Sequence, residues 1–259
     1  MQTVLFHETV FGPIHSRRLG VSLGINLMPN DGKICSFDCI YCEAGYNAQG
    51  AGKSGIPSRE AVKKSLNRKL KTMAETGEQL DVITFSGNGE PTLHPQFKDI
   101  VHDVLLLRDR YFPSVKVSVL SNSTMLNKAT VVEALKKVDN NILKLDSAIA
   151  PTMRAINQPT SNGVLPEGVI ADLKKFGDKC IVQTMFLRGE HNGKKIDNTT
   201  DTEIEALIKA YKEISPKEVM IYSIDRKTPE ENLEKITKEE LTAIGKRIET
   251  AGIKVQINA

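Results

Sequence analysis

The sequence predicts an α/β protein built as a partial, TIM-like (β/α)6 barrel with parallel strands. Short apolar runs typical of buried strands alternate with stretches whose apolar residues recur at helical spacing. Such alternation builds right-handed βαβ units around a parallel sheet. Six strand–helix pairs and one closing strand can be identified, which is short of the eight units of a full barrel. The chain of 259 residues suits one domain of this kind, so we expect residues 1–259 to fold together.

The predicted strands are short runs rich in Val, Ile, Leu and Phe, bounded mostly by turn residues. The first, for example, ends at the turn signal Pro29-Asn30-Asp31-Gly32. The predicted strands cover residues 21–28, 82–85, 115–120, 142–145, 180–187, 219–224 and 253–257.

Each predicted helix carries one apolar stripe. The residues from Thr228 to Glu231 have the pattern of a capped helix start with Pro at the first helical position. Thr237 and Glu240 form a predicted capping box, and Gly252 predicts the end of the last helix. The other helices are predicted after Pro57-Ser58, with the stripe Val62, Leu66, Leu70 and Met73, and around residues 97–105, 131–138, 169–176 and 204–214.

Charge and composition argue against several classes of protein. Lys and Arg exceed Asp and Glu by only 35 − 32 = 3, so RNA is a partner that the net charge does not support. No apolar run is long enough to span a membrane, and the first residues lack the regions of a signal peptide. The clustering of the cysteines argues against a disulfide framework. We therefore expect a cytoplasmic protein without a membrane partner.

Three of the four cysteines lie close together in the loop of residues 30–55. Cys35, Cys39 and Cys42 have the spacing C-x3-C-x2-C, whereas Cys180 lies far away in sequence. Thiolates suit zinc, copper(I) and iron–sulfur clusters, and three local ligands leave one corner of such a centre open. The alternatives are a structural zinc loop and a chance group of buried thiols. Zinc would need a fourth ligand, and neither Cys180 nor any histidine lies near Cys42 in sequence.

The cysteine spacing, with the aromatic Tyr41 just before the last cysteine, resembles the signature of the radical S-adenosylmethionine (SAM) enzymes. The resemblance implies that Cys35, Cys39 and Cys42 bind three irons of one [4Fe–4S] cluster and that SAM chelates the fourth iron. It also implies that an electron from the cluster cleaves SAM to a 5′-deoxyadenosyl radical, which abstracts hydrogen from a substrate. A reduced flavodoxin or ferredoxin is the implied electron donor. Enzymes of this family are built on a partial barrel, in agreement with the strand–helix pattern.

Polar residues follow the predicted strands at their carboxyl ends, where parallel sheets bind ligands. Residues 86–92 resemble the Gly-Gly-Glu-Pro motif of the family, which holds the SAM ammonium, so a larger residue at either glycine should weaken SAM binding more than folding. The resemblance also implies that residues at the other strand ends contact the ribose and the carboxylate of SAM. It implies that Tyr41 packs near the adenine. Each of these residues could equally be a structural cap or a satisfied interior group. The implied SAM-binding residues are Tyr41, Gly87, Asn88, Gly89, Glu90, Ser121, Asn122, Lys144, Asp146 and Gln183.

Basic residues near the first and sixth strands are candidates for binding substrate. The basic segment of residues 1–20 contains His15, Arg17 and Arg18, and Arg226 follows the sixth strand. Arginine forks match phosphate or carboxylate, so we expect these arginines to face the barrel mouth. Solvated surface charge is the alternative interpretation.

The basic segment with Arg17 and Arg18, the cysteine loop and residues 86–92 together resemble the branch of the family that includes the tRNA wyosine-base synthases. Those enzymes use further N-terminal cysteines for a second cluster, whereas this sequence has no cysteine before Cys35. The substrate is therefore left open as an anionic nucleotide, RNA base or carboxylated metabolite, and a wyosine-type or protein-activating enzyme is an alternative. A further alternative is an iron–sulfur or zinc protein that mediates interactions without SAM turnover.

Overall fold

In the computed structural model, which describes residues 4–16 and 18–258, ten strands form one curled sheet. The described strands that build the barrel, β2 to β6, β8 and β10, run parallel and follow one another in chain order, which is the partial barrel that the sequence predicts. The strands are β1 (Val10–Ser16), β2 (Gly20–Ile25), β3 (Val82–Phe85), β4 (Lys116–Ser121), β5 (Asn140–Lys144), β6 (Cys180–His191), β7 (Lys194–Asp197), β8 (Glu218–Ser223), β9 (Leu233–Lys235) and β10 (Val255–Asn258).

Helices connect the parallel strands and bury their apolar stripes in the main core. The stripe predicted for the first helix, from Val62 to Met73, is fully buried, and Ser58 caps the helix by accepting from Ala61 N–H. No helix within residues 4–16 and 18–258 has both the length and the apolar content needed to span a membrane. The helices are α1 (Arg59–Thr76), α2 (Phe97–Tyr111), α3 (Ala129–Leu135), α4 (Ala150–Asn157), α5 (Pro166–Leu173), α6 (Asp201–Ile214) and α7 (Lys238–Thr250).

The two capping predictions near the carboxyl terminus have opposite outcomes. Thr237 and Glu240 form the predicted capping box at the start of α7, and that helix ends just before Gly252. The helix start predicted at Thr228 is wrong, because residues 226–232 form a loop that leads into β9. The Thr228 hydroxyl donates to the carbonyl of Glu230 at 2.6 Å and so does not cap a helix.

Three strands and one helix around the barrel were not predicted. Strand β1 pairs antiparallel with β2 at one edge of the sheet, and β6 continues past the barrel to pair antiparallel with β7 and β9. Helix α4 follows β5 and precedes the predicted helix α5. These additions flank the carboxyl ends of the barrel strands.

The inner face of the barrel has an apolar layer beneath a polar one. Ile142, Ile181 and Met220 form a small buried cluster, and Leu19, from the turn between β1 and β2, packs against it. Side chains two residues further along a strand point to the same face of the sheet. Lys144, Gln183 and Tyr222 therefore follow as the next layer toward the carboxyl ends.

Candidate active site

A cavity of about 300 Å³ lies where the carboxyl ends of the strands meet the cysteine loop. This volume is at the lower end of the range for small-molecule sites. Most of the residues implied by the sequence as cluster or SAM ligands line this cavity. They are Cys35, Cys39, Tyr41, Cys42, Gly87, Gly89, Glu90, Ser121, Asn122, Lys144 and Gln183.

The cysteine loop is held between two other segments of the chain. On one side, Ile34 N–H donates to the carbonyl of Asn88 at 3.2 Å, and Glu90 N–H donates to the carbonyl of Ile34 at 3.1 Å. On the other side, Ile40 N–H donates to the carbonyl of Ile156 in α4 at 3.0 Å. Backbone bonds thus fix the loop against the 87–90 segment and against α4, so the thiols keep their positions relative to the strand ends.

Each of two thiols accepts a hydrogen bond from an amide side chain. Asn122 Nδ2 lies 3.5 Å from Cys35 Sγ, and Asn157 Nδ2 lies 3.4 Å from Cys39 Sγ. Burial raises the pKa of the Cys35 thiol to about 12 and the pKa of the Cys39 thiol to about 11. Without a metal, Cys35 and Cys39 are therefore protonated at neutral pH, and a bound metal must displace these two protons.

Lys33 supplies a buried positive charge beside the thiols. Its ammonium donates to the carbonyl of Gly45 at 2.7 Å and pairs with Asp38 at 3.1 Å. Burial by itself would lower the pKa of Lys33, but the neighbouring Cys42, Cys35 and Asp38 raise it above its usual value. The lysine therefore stays charged and can offset the negative charge of thiolates bound to iron.

The donor set fits an iron–sulfur cluster. Within the described ranges, no three side chains among His, Cys, Asp and Glu converge on a point where they could bind one metal ion. The three thiols instead share the lining of one cavity. That arrangement suits a group that offers a separate iron to each thiolate.

The 87–90 segment packs more tightly against protein than the sequence suggests. A Cβ atom on Gly89 would lie 1.8 Å from the carbonyl oxygen of Ile34, and one on Gly87 would lie 2.4 Å from Asn26 Oδ1. The Asn88 side chain does not line the cavity: it is fully buried and bonds to the carbonyls of Phe6 and Pro29. The Asn88 side chain therefore has a structural role, and the implied part of residue Asn88 in holding SAM stays a prediction.

Glu90 is buried beside the cavity and is surrounded by donors from its own chain. Its carboxylate accepts from Asn122 N–H at 2.6 Å, Ser121 Oγ at 2.9 Å and Thr92 N–H at 3.1 Å. Burial nevertheless raises the pKa of this carboxyl group above its usual value. The bonds from Ser121 and Asn122 hold the carboxylate against the end of β4. Glu90 therefore links the segment after β3 to the end of β4.

Asp146 lies behind the cavity wall and organises the residues that form it. Its carboxylate accepts from Tyr41 Oη, from Asn157 Nδ2 at 2.6 Å and from Met185 N–H at 2.9 Å. It also pairs with Lys144 Nζ at 3.4 Å. Asp146 does not line the cavity, so its implied contact with SAM is not supported, whereas Tyr41 and Lys144, which it contacts, do line the cavity.

Comparison with known families identifies the chain. The model of the radical SAM superfamily matches residues 30–192, from the cysteine loop through β6. The chain belongs to the radical SAM superfamily. Membership in this superfamily implies a [4Fe–4S] cluster and SAM as cofactors, which the cavity's donor set fits.

The curated relatives of this radical SAM protein include proteins named UPF0026. The UPF0026 protein slr1464 of Synechocystis sp. is 32% identical over 85% of this chain and 77% of its own length. The chain spans 34% of the length of one other curated relative and 66% of two more.

Solved structures share the fold at low sequence identity. A radical SAM methyltransferase from Sphaerobacter thermophilus has a TM-score of 0.68 and 13% identity, covering 91% of this chain and 65% of its own. TYW1 with a lysine–pyruvate adduct bound has a TM-score of 0.62 and 16% identity, covering 90% of this chain and 75% of its own. Both similarities extend over nearly the whole radical SAM chain, and at these identities they show the partial-barrel fold alone.

The substrate candidates predicted from the sequence separate in the structure. Arg18 lines the cavity, whereas Arg17 lies outside the described residues. His15 is exposed on β1, and Arg226 is exposed and pairs with Glu43 at 2.6 Å. Neither side chain lines the cavity, so Arg226 does not face it as expected, and the role of His15 as a substrate candidate stays a prediction. Arg226 follows β8, but its loop turns the side chain outward to the rim.

Several residues beside the cavity carry no motif and were missed. Lys33 and Asn157 contact the cysteine loop from outside the C-x3-C-x2-C pattern, and Tyr222 and Met185 line the cavity from β8 and β6. Tyr222 lies at the carboxyl end of a predicted strand, so its position was the one available signal. A lysine two residues before a cysteine offers no comparable sequence signal.

We expect Asp146→Ala to destabilise the metal-free protein by roughly 3–5 kcal/mol, because it leaves the buried Lys144 ammonium without its carboxylate. It also removes the acceptor of Tyr41 Oη, Asn157 Nδ2 and Met185 N–H. Urea unfolding measures the change, with Asp172→Ala as the control. Asp172 pairs with Lys175 on the surface of α5, where such a pair contributes about 1 kcal/mol or less. Equal stabilities of the two variants would contradict the role given to Asp146.

Proposed function

We propose that this radical SAM protein is an enzyme that binds one [4Fe–4S] cluster through Cys35, Cys39 and Cys42 and holds SAM and a small substrate in the adjoining cavity. Cys35, Cys39 and Cys42 would hold the cluster that supplies one electron for the reductive cleavage of SAM to methionine and a 5′-deoxyadenosyl radical, and the cavity would hold the substrate from which that radical would take a hydrogen atom. The observation that carries the proposal is that the three cysteines and the 87–90 segment line the same cavity.

The surrounding residues would prepare this cavity for a charged cofactor. Lys33 adds positive charge next to the thiolates, and Asn122 and Asn157 donate hydrogen bonds to sulfur. Such bonds stabilise thiolates and tune the potential of a cluster. Tyr41 and Lys144, fixed by Asp146, would form the part of the wall that orients the nucleoside of SAM.

The proposal also covers the electron donor and the chemical class of the substrate. A reduced flavodoxin or ferredoxin in the cytoplasm would supply the electron, which is supported by membership in the superfamily. The substrate would be a small molecule or a nucleotide that binds beside SAM in the same cavity. The cations that line the cavity, Lys33, Lys144 and Arg18, support an anionic substrate.

The test is anaerobic reconstitution of the full chain with iron and sulfide, followed by addition of SAM with and without a chemical reductant. We expect a brown protein that binds iron and releases 5′-deoxyadenosine and methionine only when reductant is present. Metal analysis distinguishes the alternative of a structural zinc protein. A chain that retains zinc and not iron, or that binds iron and never cleaves SAM, would refute the proposed function.

A further inference from the structure

Three cations line the cavity among the described residues, and they differ in their counter-ions. Lys33 pairs with Asp38 and faces Cys35 and Cys42, and Lys144 pairs with Asp146. Arg18 has no carboxylate partner in the part of the chain that the structure describes. Among these three cations, Arg18 is the one without a carboxylate counter-ion in the described residues.

The Arg18 guanidinium is also left without a full set of hydrogen-bond partners. Its Nη1 atom is buried and has no acceptor. An unsatisfied buried donor destabilises a protein, and a charged one does so more strongly. A ligand that accepts from Nη1 would remove this penalty.

Arg18 is held in place by its neighbours in sequence and in space. Leu19, the next residue, packs against the apolar layer of the inner face, which fixes the turn between β1 and β2 inside the barrel. The Arg18 Cζ atom lies 4.8 Å from the centroid of the Tyr222 ring, and Lys144 Nζ lies 5.5 Å from the same centroid. Lys144 also donates to Tyr222 Oη at 3.0 Å. Two cations therefore flank one ring at the edge of the cavity.

We propose that Arg18 binds an oxyanion of the substrate, a carboxylate or a phosphate, beside the Tyr222 ring and Lys144. The proposal rests on the proposed function and names the chemistry by which that site recognises its substrate. A guanidinium presents two parallel N–H groups that match the two oxygens of such an anion. The Tyr222 ring holds the fork by a cation–π contact while leaving its N–H groups free.

The location separates this oxyanion site from the segment that resembles the SAM-binding motif. Arg18 contacts β8, whereas residues 87–90 follow β3, and the strands β4, β5 and β6 lie between β3 and β8 in the sheet. The substrate anion would therefore bind on the opposite side of the half-barrel from the 87–90 segment. We expect the loss of Arg18 to leave SAM binding unchanged.

The test compares wild type, Arg18→Met and Arg247→Met as anaerobically reconstituted holoenzymes. Methionine keeps an apolar stem against Tyr222 and removes the charge. Arg247 is a half-buried arginine that pairs with the exposed Asp201 and does not line the cavity, so Arg247→Met is a matched control. Calorimetric titrations with inorganic phosphate and with malonate, at constant ionic strength and with SAM present, distinguish a phosphate site from a carboxylate site.

We expect wild type and Arg247→Met to bind at least one of the two anions saturably. In Arg18→Met the affinity for that anion should fall roughly 10- to 100-fold, as for the loss of charge-assisted hydrogen bonds. The affinity for SAM should stay unchanged. The anion-free Arg18→Met variant should unfold at the same or a higher temperature than wild type, because a buried unpaired donor is gone. A purely structural role for Arg18 predicts a lower unfolding temperature instead.

Two outcomes would overturn the inference. One is anion binding that is equal in wild type and Arg18→Met, or absent from wild type. The other is a loss of SAM affinity in Arg18→Met equal to the loss of anion affinity, which would assign the guanidinium to SAM. If wild type cleaves SAM and either of these results is obtained, the oxyanion site alone is refuted. If wild type fails to cleave SAM, the proposed function is refuted.

Discussion

Replacing any one of Cys35, Cys39 and Cys42 by alanine is expected to abolish assembly of a stable [4Fe–4S] cluster and the cleavage of SAM. Each thiolate would bind a different iron, so no remaining thiol can take over the lost position. The cavity offers no spare thiol: within the described ranges no further cysteine lines it. Iron and sulfide content, the visible absorption of the reconstituted protein and the release of 5′-deoxyadenosine measure the result.

Cys180→Ala is the matched control for these variants. Cys180 begins β6, is fully buried in the main core, and donates its thiol hydrogen to the carbonyl of Gly177 at 3.3 Å. Burial raises the pKa of this thiol to about 12, as expected for an inert structural cysteine. Cys180→Ala should therefore retain iron and SAM cleavage. Loss of iron in this variant, equal to that in the other three, would contradict the assignment of the cluster to the cysteine loop.

Most of the barrel strands could be predicted because they bury short apolar runs, as in β3 and β6, a pattern that depends on few neighbours. Strand β1 could not, because Gly12 and Pro13 interrupt it and its register with β2 shifts between Phe11 and Ile14. Glycine and proline within a run argue against a strand unless it lies at an edge, which the sequence does not reveal. Strands β7 and β9 are short and pair with an extension of β6, so their partners are also invisible in the sequence.

The site was predictable where a motif fixes the backbone and not where tertiary packing chooses the side chain's direction. The cysteine loop and the 87–90 segment meet as expected, yet the Asn88 side chain turns into the protein to satisfy buried backbone carbonyls. Arg18 and Arg226 looked alike in sequence. Only the packing of Leu19 inside the barrel and the pairing of Arg226 with Glu43 at the rim separate them.

Ion pairs beside the cavity hold its charged side chains in place, and these pairings cannot be seen in the sequence. Lys33 sits beside the thiols, and Lys144 sits beside Asp146, so each of these cations is compensated locally. Charges buried with their counter-ions keep their positions better than exposed ones, because separating them is unfavourable. The wall can therefore stay rigid before a ligand binds, which is the condition for positioning a substrate close to a reactive group.

Gly89→Ala is expected to destabilise the protein by roughly 3 kcal/mol or more and to lower its iron content in parallel. The added Cβ would lie 1.8 Å from the carbonyl oxygen of Ile34, and the backbone of Gly89 has φ +138°, which disfavours other residues. Ile34 directly precedes Cys35, and its backbone bonds to Asn88 and Glu90 hold the cysteine loop. The clash is with backbone, so it can be relieved only by moving that loop.

This geometry reverses the order expected from the sequence, in which a larger residue at Gly87 or Gly89 would weaken SAM binding more than folding. Urea unfolding of the metal-free protein and iron content after reconstitution measure the two effects, with Gly168→Ala as the control. Gly168 lies in α5 with open space around its Cβ position, so alanine there should be neutral or slightly stabilising. If Gly89→Ala folded as stably as wild type and lost only its affinity for SAM, the close packing against Ile34 would not be what requires glycine at this position.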